Sequence, residues 1–286
     1  MIRTFGARTF DFSRQVAIMA IVNRTPDSFH DRGRTFGLDA AVEAMLRAVD
    51  QGADWLDIGG MPFGPDGPLV DAAEEAERVV PVIQKVRTMT DAVISVDTHR
   101  AEVAREALAA GADVVNDTNG VRDAGLATAV AEAGAGLVVT HSLVGPRVRH
   151  PRPTYEDVTA EVVAFLRDRV AFARAAGVAP EKIIIDPGHD LNKNTLHSLE
   201  LTRRLGDLAD IGYPLLVALS NKDFIGETLD RPQAQRLEGS LAAAVFSILR
   251  GARIVRVHDV RETVAAVRMT EAMLGWRDPA YLRHNM

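Results

Sequence analysis

The sequence contains no cysteine. This absence excludes disulfide bonds, a thiolate nucleophile and zinc sites built on cysteine ligands. It is also typical of a reducing compartment, and the N-terminal stretch MIRTFGARTFDFSRQ has no apolar core of signal-peptide length. We therefore expect a cytoplasmic protein.

Long apolar runs and an excess of positive charge are missing as well. No stretch of about 18 uncharged apolar residues occurs, so the sequence predicts no membrane-spanning helix. The 286 residues include 33 Lys and Arg against 39 Asp and Glu, a net charge of −6, which argues against nucleic acids and anionic membranes as partners. Because low-complexity tracts are absent too, we expect a folded globular chain.

Short β-branched apolar runs alternate with longer amphipathic segments. Eight runs predict strands, at Val16–Asn23, Trp55–Gly60, Val93–Asp97, Val114–Asn116, Leu137–His141, Ile183–Asp186, Leu215–Ser220 and Ile254–His258. Eight segments with apolar residues three and four apart predict helices, near residues 38–51, 70–88, 100–110, 124–133, 155–176, 194–209, 237–250 and 260–274. The pattern predicts a single (β/α)8 TIM barrel over residues 1–286, in which residues 1–14 form an extension before the first strand.

An open, doubly wound α/β sheet is the alternative fold. Such a sheet usually carries a glycine-rich dinucleotide-binding turn after its first strand. Here the first strand is followed by Asn23-Arg-Thr-Pro-Asp-Ser, which contains no glycine. The closed barrel is therefore the favoured prediction.

Polar residues cluster where the predicted strands end, which is where TIM barrels carry their chemistry. They are Asn23 with Thr25, Asp27 and Ser28, then Asp57, Asp97, Asn116, Asp117, His141, Asp186, Ser220, Lys222, Arg256 and His258. Asp57 and Asp117 fit an ordinary helix-capping role equally well. Taken together, the groups would converge on one mouth of the barrel.

Two groups of these residues suggest what the mouth binds. Closure of the barrel places Asn23 beside Arg256 and His258. An amide, a guanidinium and an imidazole together suit a phosphate or pyrophosphate. The alternative is that these side chains bond to nearby backbone carbonyls. The remaining groups suit the amino-pyrimidinone edge of a planar heterocycle, because buried carboxylates need donors. These are Asp97, Asn116, Asp186 and Lys222. No nucleophile and general-base pair is evident.

Along nearly its whole length, the sequence resembles the dihydropteroate synthase family. The motifs that carry the resemblance are Asn23-Arg-Thr-Pro-Asp-Ser-Phe29, Asp57-Ile-Gly-Gly60, Ser95-Val-Asp-Thr98, Arg100-Ala-Glu-Val-Ala104, Asn116-Asp117, Asp186-Pro-Gly188 with Lys193, Ser220 with Lys222 and Gly226, Arg236-Leu-Glu-Gly239, and Arg256-Val-His-Asp-Val260. They occur in the order that the family has them.

The resemblance implies a TIM-barrel transferase. Such an enzyme joins 4-aminobenzoate to the methylene of 6-hydroxymethyl-7,8-dihydropterin pyrophosphate, uses Mg²⁺, releases pyrophosphate and forms a homodimer. It implies a pterin site at Asp97, Asn116, Asp186 and Lys222, a pyrophosphate site at Asn23, Arg256 and His258, an amine side at Ser220 and a Mg²⁺ ligand at Asn23. It further implies catalytic roles for Asp27, Lys222 and Arg256.

The sequence departs from the family on the amine side. Family members typically continue the second strand with Glu-Ser-Thr-Arg-Pro-Gly, whereas this chain has Met61-Pro-Phe-Gly-Pro-Asp-Gly67. The family's Ser-Arg-Lys is Ser220-Asn-Lys222 here, which removes a cation. In these changes the chain is similar to the divergent second dihydropteroate synthase homologue of some actinobacteria, which is regarded as inactive. An inactive pterin-binding or regulatory paralogue is therefore the alternative function.

Two further alternatives are weaker. A methyltetrahydrofolate-dependent methyltransferase of the same superfamily would not need the phosphate-binding residues Arg256 and His258. A zinc site from His30, His141, His189 and Asp190 lacks any recognisable ligand spacing. We expect His30 and His189 to be solvated loop residues.

Overall fold

The computed structural model describes residues 1–24, 37–62, 69–145, 148 and 152–284. A hairpin of β1 (Ile2–Phe5) and β2 (Arg8–Asp11) comes first. The next strands are β3 (Ala17–Asn23), β4 (Trp55–Gly59), β5 (Val93–Asp97), β6 (Val114–Asp117), β7 (Gly136–Thr140), β8 (Ile183–Asp186), β9 (Leu215–Val217) and β10 (Ala252–Val257). They pair in parallel in chain order, and β10 pairs with β3, which closes an eight-stranded barrel. The predicted TIM barrel is confirmed.

Helices surround the barrel. They are α1 (Leu38–Asp50), α2 (Ala72–Arg87), α3 (Ala101–Ala109), α4 (Ala124–Glu132), α5 (Val158–Ala175), α6 (Thr195–Arg203), α7 (Leu205–Ala209), α8 (Asp223–Leu229), α9 (Leu237–Leu249) and α10 (Val260–Met273), with short 3₁₀ turns at Pro180–Lys182 and Gln233–Gln235. In the part of the chain that the structure describes, no helix is long and apolar enough to cross a membrane.

Some elements of the barrel differ from the sequence predictions. The helix predicted over 194–209 is two helices, because Arg204 leaves helical geometry between α6 and α7. The strand predicted to reach Ser220 ends at Val217. Helix α8 was not predicted, since its seven residues include Gly226, which disfavours a helix.

Side-chain alternation along the strands divides the barrel into two environments. Outward residues such as Leu56 and Ile94 belong to the large apolar cluster that packs against the helices. Inward residues change from apolar to polar towards the carboxyl ends, as in Trp55 followed by Asp57 on β4 and Ile254 followed by Arg256 on β10. This gradient places an apolar core in the lower barrel and polar groups at the mouth.

The N-terminal hairpin covers the opposite end of the barrel from this mouth. Phe5 packs edge-on against Trp55, with ring centroids 4.9 Å apart, and Phe10 lies 5.7 Å from the same indole. These rings share one buried cluster with inward residues of the barrel strands. The segment 1–14 is therefore structured, and it seals the apolar interior from water.

Candidate active site

A cleft of about 510 Å³ opens at the carboxyl ends of the barrel strands. Its volume is in the range of small-molecule sites. Among the described residues it is lined by Asn23, Asp97, Asn116, Asp186, Ser220, Lys222, Arg256 and His258, which the sequence analysis selected. Asp27 lies outside the described residues, as do Thr25, Ser28 and His30.

Asp57 lies on β4 and bonds to two of the residues that line the cleft. Its Oδ2 accepts a hydrogen bond from Arg256 Nε at 2.6 Å and another from Asn116 Nδ2 at 3.1 Å. The side chain is completely buried and does not cap a helix. Asp57 thus holds the side chains of two predicted ligand-binding residues, a role that its sequence context does not reveal.

Arg256 also joins Asp97 to this network, because its Nη2 donates to Asp97 Oδ2 at 3.1 Å. Burial raises the pKa of Asp97 to about 7; Arg256 opposes the rise, and Asp57 adds to it. Although burial opposes it, the carboxylates of Asp57 and Asp97 raise the pKa of Arg256. The floor therefore holds one fixed cation between two carboxyl groups, and Asp97 changes protonation near neutral pH.

Asn116 leaves a buried acceptor at the floor. While its Nδ2 donates to Asp57, its Oδ1 has no hydrogen-bond partner among the described residues. Asn116 is 2% exposed and lines the cleft. A buried polar atom without a partner is costly, so this oxygen calls for a donor from a ligand or a water molecule.

Asp186 forms the next part of the floor. Its Oδ1 accepts the backbone N–H of Gly188 at 2.7 Å. Burial raises the pKa of Asp186, and the Gly188 N–H and the charge of Lys222 oppose the rise. Gly188 has a φ of 65°, and a Cβ there would collide with the carbonyl oxygen of His141, so the turn requires glycine.

The predicted phosphate side lies where β10 meets β3. Asn23 and His258 line the cleft near Arg256, as barrel closure predicts. The backbone N–H of His258 donates to Ser220 Oγ at 3.3 Å, and the same Oγ lies 3.2 Å from His258 Nδ1. Ser220, which we assigned to the amine side, therefore borders the phosphate side as well.

Lys193 is a buried lysine next to the cleft to which the sequence alone assigned no role. Its Nζ donates to His141 Nδ1 at 2.8 Å, to Gly188 O at 2.9 Å and to Leu191 O at 3.0 Å. Three acceptors match the three protons of an ammonium group. Burial lowers the pKa of Lys193 to about 7, although Asp186 opposes this. The lysine ties the ends of β7 and β8 together under the cleft.

The expectation that His189 is a solvated loop residue is wrong. Its side chain is 1% exposed and packs near Phe224. Thr202 Oγ1 donates its proton to Ser198 O at 2.7 Å. In the second contact of this hydroxyl, 3.0 Å from His189 Nε2, the imidazole N–H must therefore be the donor. Burial lowers the pKa of His189 well below its usual value, and the ring is neutral.

Asp117 differs from Asp57. Its carboxylate accepts the backbone N–H groups of Asn119 and Val121 at 2.6 and 2.8 Å. It therefore stabilises the loop after β6 and does not cap α4, whose N-cap is Asp123, so the helix-capping role that the sequence allowed for Asp117 is wrong. Burial raises the pKa of Asp117 to about 7, and these two N–H groups oppose the rise.

The described residues contain no cluster of three His, Asp or Glu side chains that could enclose a metal ion. The polar residues that line the cleft therefore fit Mg²⁺ that is bound together with the substrate. Mg²⁺ commonly takes one or two protein ligands and completes its shell with phosphates and water. The amide oxygen of Asn23, at the phosphate side, suits such a single ligand.

Comparison with known proteins agrees with this arrangement. The model of the family described as pterin binding enzyme matches residues 19–258. The chain belongs to this family. It is 49% identical over 268 residues to a protein of Mycobacterium tuberculosis named inactive dihydropteroate synthase 2, a match that covers 92% of this chain and 84% of that one. The resemblance inferred from the motifs is confirmed.

Two further relatives carry the name dihydropteroate synthase. The Escherichia coli protein is 39% identical over 261 residues, covering 91% of this chain and 93% of its own. The solved structure of the Xanthomonas albilineans protein in complex with 7,8-dihydropteroate is 39% identical, with a TM-score of 0.85 over 96% of this chain and 99% of that one.

Proposed function

We propose that this protein binds 6-hydroxymethyl-7,8-dihydropterin pyrophosphate and transfers its methylene group to an aromatic amine such as 4-aminobenzoate. The observation that carries the proposal is the buried acceptor array of the floor, where the unpartnered Oδ1 of Asn116 lies in one cleft with Asp97 and Asp186. A pterin edge presents amino and ring N–H donors to such acceptors. A related protein has been solved with 7,8-dihydropteroate bound, which supports this ligand class.

Each side of the cleft has a distinct part in this proposal. Asp97, Asn116 and Asp186 accept hydrogen bonds from the pterin ring, and Lys222 donates to a ring acceptor. Asn23, Arg256 and His258 bind the pyrophosphate, for which a guanidinium is well suited because it offers parallel N–H donors. Asp57 keeps Arg256 and Asn116 in place between the two sides.

The reaction begins when the bond between the methylene carbon and the pyrophosphate oxygen breaks, and the electron pair leaves with pyrophosphate. The electron-rich pterin stabilises the methylene cation, the amine nitrogen attacks it, and the resulting ammonium passes a proton to solvent. Arg256 and Lys222 contribute by fixed positive charge near the leaving group and the ring. We assign stabilisation of the cation to Asp27, in keeping with its place in the family's first loop.

Mg²⁺ would be held by the amide oxygen of Asn23 together with the pyrophosphate. When bound, it supplies positive charge that compensates the leaving pyrophosphate. The protein's own contribution at this side is to place Asn23, Arg256 and His258 along one edge of the cleft.

Pterin binding without transfer is the second candidate function. Met61 and Pro62 line the cleft just after β4, where family members carry Glu-Ser-Thr-Arg-Pro-Gly. Neither side chain offers a hydroxyl or a cation to an amine substrate. The Mycobacterium tuberculosis relative bears the word inactive in its name.

Pyrophosphate release and dihydropteroate formation test the proposal, with purified protein, Mg²⁺, the pterin pyrophosphate and 4-aminobenzoate. A known synthase assayed in parallel serves as the control. Turnover supports the transferase. Binding of the pterin pyrophosphate without turnover of either 4-aminobenzoate or an uncharged arylamine supports the second candidate, and absence of binding contradicts both.

We further propose that the protein is a cytoplasmic homodimer. Helices α9 and α10 expose the apolar side chains of Leu249, Met269 and Met273. Light scattering after size exclusion tests the assembly: a single species with the mass of one chain would contradict it. Cell fractionation tests the location.

A further inference from the structure

The loops after β8 and β9 form one wall of the cleft, beside Ser220 and Lys222. This wall carries the carboxylates of Asp190 and Asp223, which both line the cleft. Neither residue has a role in the pterin or pyrophosphate sites. In the proposed function Ser220 marks the amine side, and the role inferred for this wall rests on that function.

Asp190 is held firmly against the wall. Its Oδ2 accepts the backbone N–H of Asp223 at 2.7 Å, and its Oδ1 accepts the hydroxyl of Ser198 at 3.0 Å. Its φ of 62° lies in the left-handed region, which aspartate tolerates better than most residues but which is sparsely populated. Such a conformation persists where surrounding contacts determine it, as these two hydrogen bonds do.

The contact with Asp223 has a direct chemical consequence. Asp223 is the first residue of α8, and its backbone N–H would be a suitable donor for an anionic ligand group. However, this N–H already donates to the carboxylate of Asp190. A ligand carboxylate that approached this N–H would have to displace Asp190 or lie against it. Both alternatives are unfavourable because like charges repel.

Asp223 neutralises the nearby cation. Its Oδ1 accepts a hydrogen bond from Arg236 Nη1 at 2.9 Å, and the same Nη1 donates to the carbonyl oxygen of Asn221 at 2.9 Å. The guanidinium also lies over Gly226, where a Cβ would collide with it. Arg236 is therefore fixed and compensated, and Asn221 brings no charge to the wall.

We propose that Asp190, together with the neutralisation of Arg236 by Asp223, makes the amine side of the cleft reject carboxylates, so that within the proposed function the preferred acceptor is an uncharged primary arylamine rather than 4-aminobenzoate. Lys222, the remaining cation of this wall among the described cleft residues, acts on Asp186 at the pterin floor. An uncharged substituent on the arylamine avoids repulsion by the carboxylate of Asp190. Both aspartates then determine specificity: Asp190 repels a ligand carboxylate, and Asp223 removes the attraction of Arg236.

The test compares 4-aminobenzoate with 4-aminobenzamide, which has similar shape but no charge. Dissociation constants are measured by calorimetry on protein saturated with 6-hydroxymethylpterin, inorganic pyrophosphate and Mg²⁺, a mixture that cannot react. We expect the amide to bind about tenfold more tightly than the carboxylate. Equal affinity, tighter binding of the carboxylate, or binding of neither amine would overturn the inference.

The variant Asp190→Asn sharpens the test, because asparagine keeps an acceptor oxygen and tolerates the left-handed conformation. We expect it to strengthen 4-aminobenzoate binding about tenfold and to leave 4-aminobenzamide within about twofold. Asp168→Asn, which removes an exposed carboxylate of α5 outside the cleft, should change neither constant. If Asp190→Asn changes the dissociation constants of both ligands by the same factor, the role of charge is contradicted. A separate titration with the pterin pyrophosphate shows whether the proposed function itself fails.

Discussion

The floor and the wall of the cleft are built in different ways. Asp57, Asp97 and Asn116 lie on strands, at inward positions fixed by side-chain alternation, and they share one buried network through Arg256. Asp190 lies in the loop after β8 and Asp223 begins α8, and a single hydrogen bond from the Asp223 backbone N–H to the Asp190 carboxylate joins them. A change in the floor therefore affects binding and folding together, whereas the wall can change while the barrel stays intact.

The largest effect that separates the two regions is expected at Asp57. Replacement by alanine leaves the buried guanidinium of Arg256 and the amide of Asn116 without their shared acceptor. We expect the free energy of unfolding to fall by about 3–5 kcal/mol, as measured by urea denaturation. Asp190→Asn is the matched change in the wall and should stay within about 1 kcal/mol of wild type. Equal losses in both variants would contradict the distinction between floor and wall.

At Asp97 the main expected effect is on ligand binding. Asp97→Ala removes a buried acceptor of the pterin ring, and we expect the affinity for the pterin pyrophosphate to fall by about 2–4 kcal/mol. Equilibrium titration checks this. Wild-type affinity in the variant would refute the assignment of the pterin site.

A change at Arg256 distinguishes the contribution of the phosphate side to ligand binding from that of the pterin side. We expect Arg256→Ala to weaken binding of the pyrophosphate ester by about 1.5–3 kcal/mol more than binding of free 6-hydroxymethylpterin, because a charge-assisted contact is lost only with the ester. The two ligands are titrated in parallel. If both lose affinity equally, Arg256 serves the floor alone.

The smallest expected effect is on the pH dependence of pterin binding. Because burial raises the pKa of Asp97 to about 7, its carboxylate form, which accepts the ring N–H, predominates only above neutral pH. From about pH 6 to about pH 8 the affinity for 6-hydroxymethylpterin should rise about tenfold. The variant Asp97→Asn is the control, because any pH dependence that it retains comes from titration of the ligand. If its pH profile is identical to that of the wild-type protein, the assignment of the pH dependence to Asp97 is contradicted.

The same pKa shift has a consequence for stability. The pKa of Asp97 is higher in the folded protein than the usual value of 3.8, so the folded state binds more protons between about pH 4 and 7. Its contribution to stability is therefore lost as pH rises through this window. The slope of unfolding free energy against pH should be less negative in Asp97→Asn than in wild type.

The floor could be predicted from the sequence because two simple rules determine it. Strand ends meet at one mouth, and residues two apart share a face, which together select Asp97, Asn116, Asp186 and Arg256. The position of Asp57 was predicted too, but not its partners. Its contacts with Arg256 and Asn116 cross the barrel between strands far apart in sequence, and no local pattern encodes them.

The hairpin, α8 and His189 show what local patterns could not supply. Each hairpin strand has four residues, which is too short for a clear alternation. His189 follows a Pro-Gly turn in a polar context, yet the loop folds inwards and buries it against Phe224. The roles of Asp190 and Asp223 depend on where these loops meet, which only the tertiary structure shows.

Titration of the wild-type protein and of Asn116→Ala with 6-hydroxymethyl-7,8-dihydropterin pyrophosphate and Mg²⁺ tests the central claim most directly. If the floor is a pterin site, one ligand binds per chain, and loss of the buried Oδ1 weakens binding by about tenfold or more. Absence of binding to the wild-type protein, or the same affinity in both proteins, would contradict the claim.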